Sequence, residues 1–183
     1  MQRTPGQRAG LTREHVLTAA AALLAEGGLD GLTMRALARR LEVAPNALYS
    51  HVAGKTALVD DLLDEVLGEV QTPERDDPVE ALHALMTSTY HVLLAHRDLV
   101  PVYLARQGAR GPHAQHLGEV VLGLLADAGV HGDAAGEALH VLIVHTLGFA
   151  AFGGADGPTD AQRLRANHAA GLRWLLTGIV SPR

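Results

Sequence analysis

Two sets of residues in this sequence could carry chemistry. The first is histidine: there are eleven, nine of them beyond Thr56. His113 and His116 stand three apart, a spacing that puts two imidazoles on one helix face, where they could share a metal ion. No cysteine is present to help complete a shell, so neither a metal nor a cofactor is assigned. The second set is Pro45-Asn46-Ala47, one amide between two small apolar neighbours. An exposed asparagine can bond bidentately to N6 and N7 of adenine, and Pro or Ala can touch a thymine methyl, so this run has the chemistry to read A·T pairs. Catalytic patterns do not appear: there is no phosphate-cradling glycine loop, no nucleophile elbow and no His-Glu-x-x-His. The chain does not read as an enzyme.

Asparagine reads bases only from a rigid frame, and the composition favours a helical one. Apolar residues make up 48% of the chain and aromatic residues 3%, with Ala and Leu as the main fillers, which suits helices better than strands. Residues 1–10 read as a flexible basic arm. Thr12 caps a first helix, with Leu11 and Val16 as a staple pair, and Gly27-Gly28 ends it. Thr33 caps a second helix between Leu32 and Leu37. After Glu42, Val43 and Ala44 a third helix begins at Pro45 and continues to about His51. Two short helices joined so closely form a helix-turn-helix, with Leu37, Ala38, Leu41, Val43 and Leu48 as its own core. Arg39 and Arg40 read as a solvated face.

A fourth helix after Gly54 presents Leu58, Leu62, Leu63, Val66, Leu67 and Val70 on one side. Following a turn at 72–78, helical periodicity covers 79–95, 98–107, 113–128, 133–152 and 160–178, with a loop from Gly153 to Pro158. The expected architecture is all-α: an arm at 1–10, a helix-turn-helix head at 11–56, and a larger helical body at 57–183. Charge divides at the same place. Up to Thr56, seven basic residues meet four acids, giving +3; the other 127 residues hold eight basic and sixteen acidic, giving −8. A basic head on an acidic body suits a DNA-binding domain joined to one that avoids DNA. The lack of cysteine fits a reducing cytoplasm. Glu14 and His15, with only a short alanine-rich run from Ala19 to Ala25, do not make a signal peptide. The uncharged stretch from Ala138 to Ala155 falls short of the ~20 residues a membrane span needs and carries His140 and His145, so it reads as a buried helix, with no membrane partner.

The run from Leu32 to Leu58, LTMRALARRLEVAPNALYSHVAGKTAL, resembles the DNA-binding signature of the tetracycline-repressor (TetR) family. The shared pattern is a threonine cap, a Leu-Ala pair, a valine at the turn, Leu-Tyr-x-His-Val, then Lys-x-x-Leu. Arg97-Asp98 and His145-Thr146-Leu147-Gly148 resemble body landmarks of the tetracycline-responsive branch. Two positions depart: Ala44 stands where a capping serine is common and Glu42 where a glycine often makes the turn, at a cost of about 1 kcal/mol.

The resemblance implies a dimeric repressor of a palindromic operator, released by a small-molecule effector. It places Thr33, Tyr49, His51 and Lys55 against phosphates and Arg35 against a phosphate or a flanking base, around the base-reading Pro45, Asn46 and Ala47. Lys55 is the only lysine among fifteen basic residues. The implied effector walls are Leu85, Met86, Thr89, Tyr103, Arg106, His116, Val120 and His145. The magnesium-coordinating positions of the tetracycline repressor fall on Tyr103, Arg106 and Phe152, which implies a different ligand. Dimerisation is expected through the last two helices, at Leu139, Ile143, Leu147, Gly148, Leu172, Leu175 and Leu176, forming a four-helix bundle with the partner. Two other classes stay open at this point: a helical enzyme using histidine acid–base chemistry, and an architectural DNA-binding protein without an effector.

Overall fold

The computed structural model describes residues 10–74, 76–152 and 158–181, and these residues form nine α-helices and no strand. The expected arm, apart from Gly10, and the expected loop at 153–157 lie outside the described residues. The chain divides into two compact units, Met1–Leu62 and Leu63–Arg183.

The first unit holds α1 (Arg13–Gly31), α2 (Met34–Arg40), α3 (Pro45–Leu48) and the start of α4 (Lys55–Leu67). Thr12 caps α1 by accepting the His15 N–H at 3.2 Å. The helical path breaks at Gly28, with φ 62° and ψ −165°, a conformation that glycine adopts without the Cβ penalty. Val16, Leu17, Ala20 and Leu24 of α1 are buried, as are Leu32, Leu37, Ala38, Leu48 and Val52. Leu41 and Val43, expected in the same core, are only half-buried. The third helix is a single turn and does not continue to His51. The N–H groups of His51 and Val52 both fold back to the Leu48 carbonyl, at 2.9 and 3.0 Å, and carry Val52 into the core. The units part inside α4, later than the sequence boundary at Thr56. The first turns of α4 are bonded to α1, through Arg13–Asp61 at 2.9 Å and Lys55 Nζ on the Leu29 carbonyl at 2.6 Å.

The second unit contains α5 (Pro78–Ala95), a 3₁₀ turn (Arg97–Leu99), α6 (Val100–Arg106), α7 (Pro112–Asp127), α8 (Gly132–Phe152) and α9 (Pro158–Val180). Asp77 starts α5 by accepting the N–H groups of Val79 and Glu80 at 2.8 and 3.2 Å. Helix α5 packs against α7, α8 and α9, and the core gathers Leu82, Leu85, Met86, Leu125, Leu142 and Leu172. Helix α7 has no side-chain cap of its own. Buried Asp64 supplies one from α4, accepting the His113 N–H at 3.2 Å and the Ala114 N–H at 2.9 Å. Gly111 makes room for it, since a Cβ there would lie 2.2 Å from the Asp64 carboxyl carbon. Helix α8 is long and apolar enough by length and composition to cross a membrane. Contrary to the expected buried helix, it buries only one side: Leu142 and Ala150 are inside, while Val141, Ile143 and Val144 are exposed.

Candidate functional site

The exposed polar chemistry of the first unit gathers around α2 and α3. Thr33 caps α2, its hydroxyl accepting the Ala36 N–H at 3.0 Å, and both Thr33 and Arg35 are exposed. The connecting turn places Glu42 at φ 54°, the left-handed region that favours glycine. Ala44 offers no side chain to cap α3. Both departures seen in the sequence are therefore visible as backbone features. Pro45 occupies the first turn of α3, where its missing N–H costs nothing. Pro45 and Asn46 are exposed, Ala47 is half-buried, and Tyr49 is 55% exposed, whereas Leu48 is fully buried. One helical turn thus anchors inward through leucine and presents Asn46 and Tyr49, three residues apart, outward. His51 and Lys55 are half-buried.

Arg40 departs from a purely solvated role. Its guanidinium forks onto Glu26 of α1, with N–O distances of 2.7 and 2.8 Å, and fixes α2 on α1. That hydrogen bonding, with the charge of Arg40 behind it, holds the Glu26 carboxyl below the ordinary carboxylate range against a smaller opposing effect of desolvation. Lys55 donates to the Leu29 carbonyl beside the Gly28 break and so braces α1 as well as standing at the start of α4.

In the second unit the expected effector walls fall in several different settings. Leu85 and Met86 are core, and Val120 packs against that core. Thr89 turns its hydroxyl back to the Leu85 carbonyl at 3.0 Å. The buried Tyr103 hydroxyl donates to the Leu63 carbonyl, and its pKa is pushed up by burial and then by the charges of Asp64 and Glu69. Arg106 is half-buried and His116 exposed. His145 is half-buried, with Nε2 at 3.1 Å from the His168 carbonyl. Two clefts flank α5, of about 610 Å³ and about 360 Å³, and none of these eight residues lines either one. Among the described residues no group of three His, Cys, Asp or Glu side chains is arranged to hold a metal.

Sequence reasoning missed His168. It is 1% exposed, stacks on Tyr90 at 4.0 Å and on His145 at 5.0 Å, and meets Phe149 edge-on at 5.6 Å. Burial first, and then the neighbouring His145, His83 and His91, push its pKa down to about 4. A signal was present: His168 falls in register with Leu164, Leu172 and Leu176, each four residues apart on the inner face of α9.

The dimer residues need a correction. Leu172 and Leu176 are 0% and 1% exposed within a single chain and belong to its core. Leu139, Leu147, Gly148 and Leu175 are half-buried and Ile143 is exposed. Among the described residues of α8 and α9 the most exposed large apolar side chains are Val144, Phe152 and Trp174, at 70%, 73% and 77%. An apolar stripe at helical spacing gives the width of the buried face but does not separate intrachain burial from a second surface beside it.

The same two regions match known proteins. Residues 16–62 fit the model of bacterial regulatory proteins of the tetR family, and residues 72–177 fit the tetracyclin repressor-like C-terminal domain. The chain belongs to the TetR family. The class A tetracycline repressor of transposon 1721 from Escherichia coli is 36% identical to this TetR-family chain over 73% of its length and 62% of the repressor. Such alignments span about half to under two thirds of the length of the curated relatives. A TetR variant from Acinetobacter baumannii AYE in complex with minocycline superposes with a TM-score of 0.78 at 30% identity, covering 94% of this chain and 99% of that one. BioQ with its natural double-stranded DNA operator superposes with a TM-score of 0.74 at 28% identity, covering 94% and 99%.

Proposed function

We propose that this TetR-family chain is a cytoplasmic, homodimeric transcriptional repressor that binds a palindromic operator through α2 and α3 and leaves it when a small molecule binds the body. The observation that carries this reading is the single turn of α3, with Leu48 buried and Asn46 and Tyr49 outward. In a helix-turn-helix the second helix enters the major groove and its first residues meet base edges, so Asn46 is the base reader, with Pro45 and Ala47 beside a thymine methyl. Thr33, Arg35, Tyr49, His51 and Lys55 then hold the backbone. BioQ bound to its operator supports the DNA partner, and the minocycline complex supports an effector in the body.

A single head reads only one half-site, so a palindrome requires a pair. The exposed Val144 and Trp174 give α8 and α9 the apolar surface that pairing needs, with Leu139, Ile143, Leu147, Gly148 and Leu175 around it. The effector is not a tetracycline–magnesium complex. Tyr103 already spends its hydroxyl on the Leu63 carbonyl, and Tyr103, Arg106 and Phe152 offer no carboxylate for magnesium. The chain acts by binding and not by catalysis. Selection of bound sequences from a random DNA pool tests the reading: an inverted repeat with A·T pairs in each half-site is expected, and a featureless pool overturns it.

A further inference from the structure

The smaller cleft, about 360 Å³, runs between α5 and α9 and is lined by Tyr90, His91, Leu94, Arg97, Ala161 and Arg165. Its volume lies at the lower end of small-ligand sites, which hold about 300–1,000 Å³. Its charge is unusual for its surroundings. The chain beyond Thr56 carries sixteen acids against eight bases, yet among the described residues two arginines and no carboxylate line this cleft. Neither Arg97 nor Arg165 forms an ion pair among the described residues. An organic anion entering there would meet two planar donor forks suited to a carboxylate.

Tyr90 gives an independent indication. It is 1% exposed and lines the cleft, yet its hydroxyl has no hydrogen-bond partner among the described residues. A buried hydroxyl left unpaired has lost its hydration without replacement, a loss that a ligand oxygen would make good. Burial raises the pKa of that hydroxyl and the charge of Arg165 opposes the rise, so cation and phenol act on one another. Behind the Tyr90 ring lies His168, stacked at 4.0 Å, with both ring nitrogens also unpartnered among the described residues. Leu94 and Ala161 supply apolar surface beside the charges.

We propose that this cleft is the effector site for a small organic carboxylate with an apolar body, held by Arg97 and Arg165, donated to by the Tyr90 hydroxyl, and resting on Leu94 and Ala161. The assignment rests on the reading of the chain as an effector-responsive regulator and specifies the chemistry of the effector. Titration calorimetry of the full chain with benzoate, benzamide and inorganic phosphate tests it. Benzoate should bind, and its neutral isostere benzamide should bind at least about tenfold more weakly. Arg165→Gln, at an exposed position with fold retention checked by circular dichroism, should weaken benzoate by about tenfold or more, and Tyr90→Phe by about threefold to tenfold. No benzoate binding, or equal binding by Arg165→Gln, overturns the proposal. Phosphate binding in place of benzoate, with the same dependence on Arg165, overturns the carboxylate assignment. An inverted repeat recovered from the DNA pool alongside either negative leaves the regulator reading standing, so the two failures are distinguishable.

Discussion

The head and the body are both helical, yet they treat polar side chains in opposite ways. In the head, Thr12 and Thr33 cap helices from the surface, Arg40 grips Glu26 in the open, and Asn46 and Tyr49 face outward. In the body, Asp64, Thr146 and His168 are buried, and Tyr90 and His168 hold polar atoms with no partner among the described residues. Exposed caps and short-range pairs tolerate water and leave a surface free to meet a charged polymer. Buried polar groups are expensive unless paired, so they make the body sensitive to protons, to small changes of shape and to ligands that complete their bonding.

Acid should separate the two regions most. The folded body holds His168 neutral down to about pH 4, whereas an ordinary histidine takes its proton near 6.5. Between those values the unfolded chain binds the proton and the folded one does not. The stability contributed by a neutral His168 is therefore complete above pH 6.5 and is lost as pH falls to 4, by about 3 kcal/mol. Urea unfolding at pH 7 and pH 4.5 should show this loss, and His168→Leu should flatten it; an equal slope in that variant would assign the acid sensitivity elsewhere. Next in size is Gly111→Ala. Its Cβ would displace the Asp64 carboxylate from the two N–H groups it caps, lowering the stability of the body by about 2 kcal/mol in thermal unfolding. An unchanged midpoint would mean that the buried cap is dispensable and the contrast between the regions weaker. The smallest effect is Asn46→Ala, exposed and without structural duty. It should leave stability within error and remove about 1–2 kcal/mol of half-site discrimination, measured by competition between operator variants. Undiminished discrimination would shift base reading to other residues.

The head was largely legible in sequence because its determinants are local. Thr12 and Thr33 cap from the register their flanking residues imply, and the Glu42 and Ala44 departures reappear as a positive φ and an uncapped helix. The shortness of α3 was not legible, because it depends on where the His51 and Val52 amides turn. In the body, helix starts could be read to within about two residues, but the partners of Asp64 lie 49 and 50 positions away and no local pattern connects them. Leu172 and Trp174 are two residues apart with opposite burial, and apolar spacing alone put Leu172 at the interface. The clefts were missed because the face of α5 that lines them is mixed, with His91 beside Leu94 and Arg97 following in the 3₁₀ turn, and spacing marks only the consistently apolar side.

Trp174 is the only tryptophan in the chain, and its indole stands 77% in solvent on α9. Indole emission shifts to shorter wavelength when water leaves the ring, so the tryptophan emission of this protein, excited where its three tyrosines do not absorb, comes from a single site on the face assigned to pairing. Dilution followed by emission wavelength gives a label-free readout of association at concentrations far below those of scattering or calorimetry, with no dye and no engineered probe near the DNA-reading surface.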